Sequence, residues 1–139
     1  MHPYFSLAGR TALVTGGTRG IGLMIAKAFV EAGAHVYVCA RDGEACAQTA
    51  AELSALGQCT GIAANLASEE GVQALARELG ERIERLDILV NNAGTTWGAP
   101  LENYPAKGWE KVMQLNVTSV FGCIQQLLPL LRRAGSADC

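Results

Sequence analysis

Arg10-Thr11-Ala12-Leu13-Val14-Thr15-Gly16-Gly17-Thr18-Arg19-Gly20-Ile21-Gly22 opens on β-branched and apolar residues and closes on spaced glycines. Arg10 to Thr15 reads as a buried strand and Gly16 to Gly22 as a glycine-rich turn. Ile21 to Ala32 then reads as a helix closed by Gly33, the usual residue at a left-handed helix end. Each glycine has a separate task in such a turn. Gly16 allows the sharp reversal, Gly20 lets the backbone approach a pyrophosphate, and Gly22 permits close packing of helix on strand. The helix start adds free N–H groups and the positive end of a dipole, which favour phosphate. The glycines stand at i, i+4 and i+6 rather than in the common GxGxxG spacing. The position of the turn, between strand and helix, points to nucleotide binding rather than to a tight turn alone.

Outward from this turn the chain alternates short β-branched runs with amphipathic stretches, the pattern of βαβ units and a parallel sheet. Ala34 to Cys39 is a second strand, Glu44 to Leu56 a helix ended by Gly57, and Cys59 to Ala63 a weaker third strand. Ser68 to Arg85 is a third helix with Ser68 as its N-cap. Leu86 to Asn91 is a fourth strand, whose continuous Asp-Ile-Leu-Val centre predicts cover on both faces. After a loop, Asn92 to Ala106, a long helix runs from about Gly108 to Arg133. Its apolar residues step by three and four, with Pro129 bending its last turns. Gly135 to Cys139 reads as a stop or a frayed tail. Trp109 is expected in the core, and Trp97 as either a loop anchor or a pocket wall. No linker divides the chain, so residues 1–139 are read as one domain. The fold class is α/β, a truncated doubly wound Rossmann sheet, parallel, with strand order 3-2-1-4 and helices on both faces. In that order the fourth strand lies at an edge, an exposed position for so apolar a segment. The order therefore predicts its own incompleteness.

Strand 2 ends at Ala40, followed by Arg41. An acidic residue there would accept hydrogen bonds from a ribose 2′-hydroxyl and favour NAD. Arg41, with Arg19 in the turn, can instead clamp a 2′-phosphate by charge-assisted hydrogen bonds. The expected cofactor is NADP(H). The bland alternative for Arg41 is a solvated side chain paired with Asp42.

Composition narrows the remaining classes. The 139 residues are 50% hydrophobic and 17% charged, with a net charge of −2, which excludes a disordered tail. No internal repeat or collagen period appears. The acidic balance argues against a protein that grips nucleic acid, and no apolar run reaches the roughly 18 residues of a membrane span. The N-terminus lacks a basic segment followed by a long apolar one, so no targeting signal is expected. Five cysteines, with no CxxC, predict free thiols in a reducing cytoplasm and no metal site. His2 and His35 are alone and far apart, and are not read as ligands. So low a charged fraction also predicts that some apolar surface belongs against another subunit or further chain.

Thr15-Gly16-x-x-x-Gly20-x-Gly22, Asn91-Asn92-Ala93-Gly94 at the end of strand 4, and Asn116 in the long helix together resemble the short-chain dehydrogenase/reductase family. The resemblance spans nearly the whole chain. Residues 1–10, 92–99 and 109–116 are similar to those members that reduce 3-oxoacyl thioesters with NADPH. The resemblance implies that Gly16, Thr18, Arg19, Gly20, Ile21 and Gly22 hold the phosphates and Arg41 the 2′-phosphate. Asn65-Leu66 would lie beside the adenine, although Asn65 replaces the family's usual aspartate and loses its charge. Asn92, Ala93 and Gly94 would flank the nicotinamide ribose, while Asn91 steadies the sheet. Asn116 matches the helix asparagine that positions a water in a proton relay, a buried functional role.

The family's chemistry also needs a serine and a tyrosine with a lysine four residues later, which lowers the tyrosine pKa so that it can protonate the substrate carbonyl. Tyr4, Tyr37 and Tyr104 are followed at that distance by Ala8, Arg41 and Gly108. The expectation is the N-terminal dinucleotide-binding part of a reductase, inactive alone, with its tyrosine, lysine and serine beyond residue 139. Its substrate would be a small or carrier-bound 3-oxoacyl thioester. The resemblance also implies a homo-oligomer formed through the long helix. Two other readings remain open: a non-catalytic NADP(H)-binding half-domain and an unstable truncated product.

Overall fold

The computed structural model describes residues 2–135. Thr11–Thr15 (β1) has four of its five residues buried, as expected of a strand covered on both faces. It pairs in parallel with His35–Ala40 (β2) on one side, from Thr11 opposite His35 to Thr15 opposite Cys39. On its other side Ala12, Leu13 and Val14 face Ile88, Leu89 and Val90 of β4 (Ile88–Val90), also in parallel. Gln58–Ala63 (β3) flanks β2, which gives the order β3-β2-β1-β4. The Rossmann-like arrangement expected from the alternating runs is therefore present.

Alternate residues of each strand feed opposite layers. Ala12, Val14, Val36 and Val38 pack with Ala26, Val30 and Leu53, which come from α1 (Gly20–Glu31) and α2 (Gly43–Ser54). Leu13, Tyr37 and Cys39 pack on the other face with Leu75, Leu79, Cys123 and Leu127. Those side chains come from α3 (Glu69–Arg82) and α5 (Ser119–Gly135). A shorter helix, α4 (Ala106–Met113), precedes α5. Asp42 caps α2 by accepting from the N–H groups of Glu44 and Ala45, and Ser68 caps α3 through Gly71 N–H.

Three expectations are corrected. Strand 4 is shorter, because Leu86 and Asp87 are used elsewhere: Leu86 N–H donates to the carbonyl of Leu130, and the Asp87 carboxylate accepts from Thr11 N–H at 2.8 Å and pairs with Arg10. Its three residues are only half-buried; both faces are contacted, but the outer edge has no partner strand among the described residues. The long helix is interrupted by a π turn over Gln114–Thr118, and α5 continues through Pro129. Trp109 is 62% exposed rather than core. The buried side of α4 is taken by Gly108, and its neighbour therefore projects about 100° away from that side. The residues 136–139 of the expected frayed tail lie outside the described residues.

Cys39, Cys46, Cys59 and Cys123 are buried free thiols. Burial, reinforced by the neighbouring Cys123, pushes Cys39 up to about 12, and burial pushes Cys59 up to about 11. In the unfolded chain these thiols ionise near their ordinary value of 9.0. Their contribution to stability is therefore complete below that pH and is lost as pH rises through the folded-state values. In a Cys139→Ser variant, a thiol reagent is expected to label none of the four at neutral pH until denaturant is added. Its melting temperature is expected to fall in alkali more steeply than that of the same variant carrying Cys39→Ala. Rapid native-state labelling, or equal alkaline losses, would contradict this assignment.

Candidate functional site

The C-terminal ends of β1, β2, β3 and β4 open into one cavity of about 390 Å³, the place where open α/β sheets bind ligands. Its floor is the glycine turn. Gly16 and Gly20 have φ of +63° and +56°, in the left-handed region where side chains are strained. Gly22 lies so close to the turn that an added Cβ would meet the carbonyl oxygen of Gly16 at 2.1 Å and Nδ2 of Asn92 at 2.4 Å. Arg19 occupies the N-cap of α1, and no side chain accepts from the first turn of that helix. The contrast with the capped α2 and α3 leaves these N–H groups available to a ligand.

Thr15 and Asn92 hold the turn in place. The buried Thr15 hydroxyl donates to the carbonyl of Val90 at 3.3 Å and accepts from the N–H groups of Asn92 and Ala93 at 3.0 Å each. The Asn92 carboxamide donates to the carbonyls of Thr15 at 3.0 Å and Gly16 at 3.1 Å. The end of β1 is thus tied to the loop after β4, although the two are far apart in sequence. Nothing in the local sequence distinguishes Thr15 from any threonine ending a strand.

Of the residues singled out from sequence, Gly16, Thr18, Arg19, Gly20, Ile21, Gly22, Arg41, Leu66, Asn92, Ala93 and Gly94 line the cavity. Asn65 and Asn116 are not among the lining residues. Asn65 is exposed and its Oδ1 accepts from Ala67 N–H at 3.0 Å, shaping the turn after β3. Asn116 is exposed rather than buried and lies within the π turn. Both ends of its carboxamide engage Thr95: Oδ1 accepts from the N–H at 2.8 Å and Nδ2 donates to the carbonyl at 3.0 Å. Thr95 itself lines the cavity. Trp97 is a loop anchor. Its ring rests on Gly108, where a Cβ would come within 2.7 Å of it.

Sequence reading missed Ala64, Ala67, Thr95, Lys111 and Leu115, which also line the cavity. The last two arrive on the face of one helix turn at i and i+4, a proximity that only the tertiary fold creates. The lining holds three cationic side chains, Arg19, Arg41 and Lys111, and no carboxylate. Neither of the ion pairs found among the described residues involves them. Asp42, the candidate partner of Arg41, has its carboxylate on the α2 backbone instead. Ile21, Ala40, Leu66, Ala93 and Leu115 add apolar wall. This arrangement can take an extended ligand with phosphate groups and a flat apolar portion. Among the described residues, no cluster of three His, Cys, Asp or Glu could hold a metal.

The sequence profile of the short chain dehydrogenase family matches residues 10–138. The chain belongs to this family. Among short-chain dehydrogenases it is 72% identical over 138 residues to the rhamnolipids biosynthesis 3-oxoacyl-[acyl-carrier-protein] reductase of Pseudomonas aeruginosa, covering 99% of this chain and 54% of that protein. A solved structure described as the Pseudomonas aeruginosa RhlG/NADP active-site complex superposes with a TM-score of 0.96 at 72% identity, over 99% of this chain and 54% of that one. L-Sorbose reductase of Gluconobacter frateurii, complexed with NADPH and L-sorbose, superposes with a TM-score of 0.89 at 30% identity, over 94% of this chain and 51% of that one. The chain spans about half the length of the curated relatives it matches, 54% of each of two of them. No helix among the described residues is long and apolar enough to cross a membrane.

Proposed function

We propose that the chain is the NADP(H)-binding part of a reductase of 3-oxoacyl thioesters, and that alone it binds the cofactor without turnover. The observation that carries this reading is the uncapped first turn of α1, opening beside Arg19 and Arg41 into a cavity without carboxylates. That donor set fits a phosphorylated dinucleotide. The 72% identity to a 3-oxoacyl-[acyl-carrier-protein] reductase and the likeness to an NADP complex support the choice of reaction and cofactor. When bound, NADPH supplies the hydride.

The chain's own residues then have distinct tasks. The N–H groups of Gly20, Ile21 and Gly22 hold the pyrophosphate, with Gly16 shaping the turn and Thr18 on its rim. Arg19 and Arg41 hold the 2′-phosphate. Leu66 backs the adenine, and Asn65 supports it through the Ala67 turn. Ala93 and Gly94 flank the ribose, while Asn92 fixes the glycine turn. Asn116 acts as a positioning residue by fixing Thr95. No tyrosine in the sequence is followed four residues later by a lysine, so these 139 residues do not carry the family's tyrosine–lysine pair.

Self-association through the long helix, in the cytoplasm, completes the proposal. Trp109, Val117, Phe121 and Ile124 are exposed along α4, the π turn and α5, apolar side chains that a second copy would cover. The test is an NADPH titration followed by fluorescence, with a parallel assay of 3-oxoacyl thioester reduction. Saturable binding with NADPH consumption at the no-protein rate is expected. Absence of NADPH binding, or turnover by this chain alone, would refute the reading.

A further inference from the structure

Lys111, on α4, lines the same cavity as Arg19, at the start of α1, and Arg41, just after β2. It is the one charged side chain that α4 contributes to the lining. No ion pair among the described residues engages it. Its Nζ stands 5.7 Å from the centroid of the Trp97 ring, within range of a cation–π contact. One side of the ring is seated against Gly108, with no space for a Cβ between them. An exposed lysine ordinarily samples many rotamers. Here an aromatic platform restricts the ammonium at the rim of a cavity that contains no negative charge.

We propose that Lys111 is a third cationic contact of this site, bonding a phosphate oxygen of the bound dinucleotide, with the Trp97 ring holding the ammonium at the cavity rim. The proposal rests on the reading of the cavity as an NADP(H) site. The contact with the ring is weak and solvent-exposed, so a phosphate can draw the ammonium away from it. Two phosphate sources are available in the same ligand, the 2′-phosphate and the pyrophosphate.

The test uses the full chain carrying Trp109→Phe, which leaves Trp97 as its single tryptophan. NADP+ and NAD+ are titrated into this protein and into its Lys111→Met and Lys111→Arg derivatives. Methionine keeps the apolar stem and removes the charge. Loss of one exposed charge contact is expected to weaken NADP+ binding by about fivefold, with a shallower salt dependence. Arginine is expected to restore it. Trp97 emission is expected to change on NADP+ binding in the lysine protein and to stay constant in the methionine one. A loss confined to NADP+ assigns the contact to the 2′-phosphate, and equal losses for both cofactors assign it to the pyrophosphate. Unchanged affinities in Lys111→Met overturn the proposal while leaving the cofactor reading intact. Failure of the lysine protein to bind either dinucleotide removes both.

Discussion

Replacing Gly22 by alanine is expected to cost the chain its nucleotide binding. The added Cβ would lie 2.1 Å from the Gly16 carbonyl oxygen and 2.4 Å from Asn92 Nδ2. The first is backbone, and the second already donates to two backbone carbonyls, so no flexible side-chain end can yield. The turn must move away from α1, and overpacking of this kind costs roughly 1–3 kcal/mol. A hydrogen bond to a charged phosphate contributes about 1.5–3 kcal/mol, so losing the aim of one N–H group is worth about tenfold or more in affinity. NADPH affinity is expected to fall at least that far, together with a lower melting temperature. Gly80→Ala is the control, because nothing lies within 4 Å of its Cβ and alanine favours the helix by up to about 1 kcal/mol. Equal NADPH affinity in Gly22→Ala and the parent would show that the turn does not carry the ligand.

The second large effect concerns discrimination between cofactors. Arg41→Gln is expected to weaken NADPH binding by about 10–100-fold, since a charge-assisted hydrogen bond contributes about 1.5–3 kcal/mol and each 1.4 kcal/mol is tenfold. NADH binding is expected to change less than about threefold, because it lacks the phosphate that Arg41 meets. The prediction depends on Arg41 being available. Asp42 accepts from Glu44 N–H at 3.0 Å and from Ala45 N–H at 3.2 Å, so its carboxylate is engaged in capping α2. Titration of both variants with both cofactors gives the ratio directly. Equal losses would place Arg41 on a group that the two cofactors share.

Most of the framework could be read locally. β1 and its turn are set by neighbours in sequence, and the glycine positions that matter for the cavity are those named from spacing. Strand 4 was legible in kind but not in length. The apolar run from Leu86 does not reveal that Leu86 N–H bonds to Leu130 or that Asp87 clips Thr11. The π turn was hidden because the Asn, Val and Thr of Gln114–Thr118 only weaken helix propensity, and no local pattern marks a switch to i+5 bonding. Trp109 was misplaced for a related reason: helical spacing gives a face but not which face meets the core. In the site, Thr95 and Lys111 were given no role and Thr15 was quoted only as the first residue of the glycine motif, since each owes its importance to a partner elsewhere in the chain.

The double tie between Thr15 and Asn92 bears on how a ligand is received. The Thr15 hydroxyl has its donor and both acceptor positions occupied, and Asn92 bridges to the glycine turn, all by groups of the chain itself. Folding has therefore already met the entropy of ordering these two segments. On the proposed reading, an arriving dinucleotide does not have to order these two segments, which lowers the entropic penalty of association.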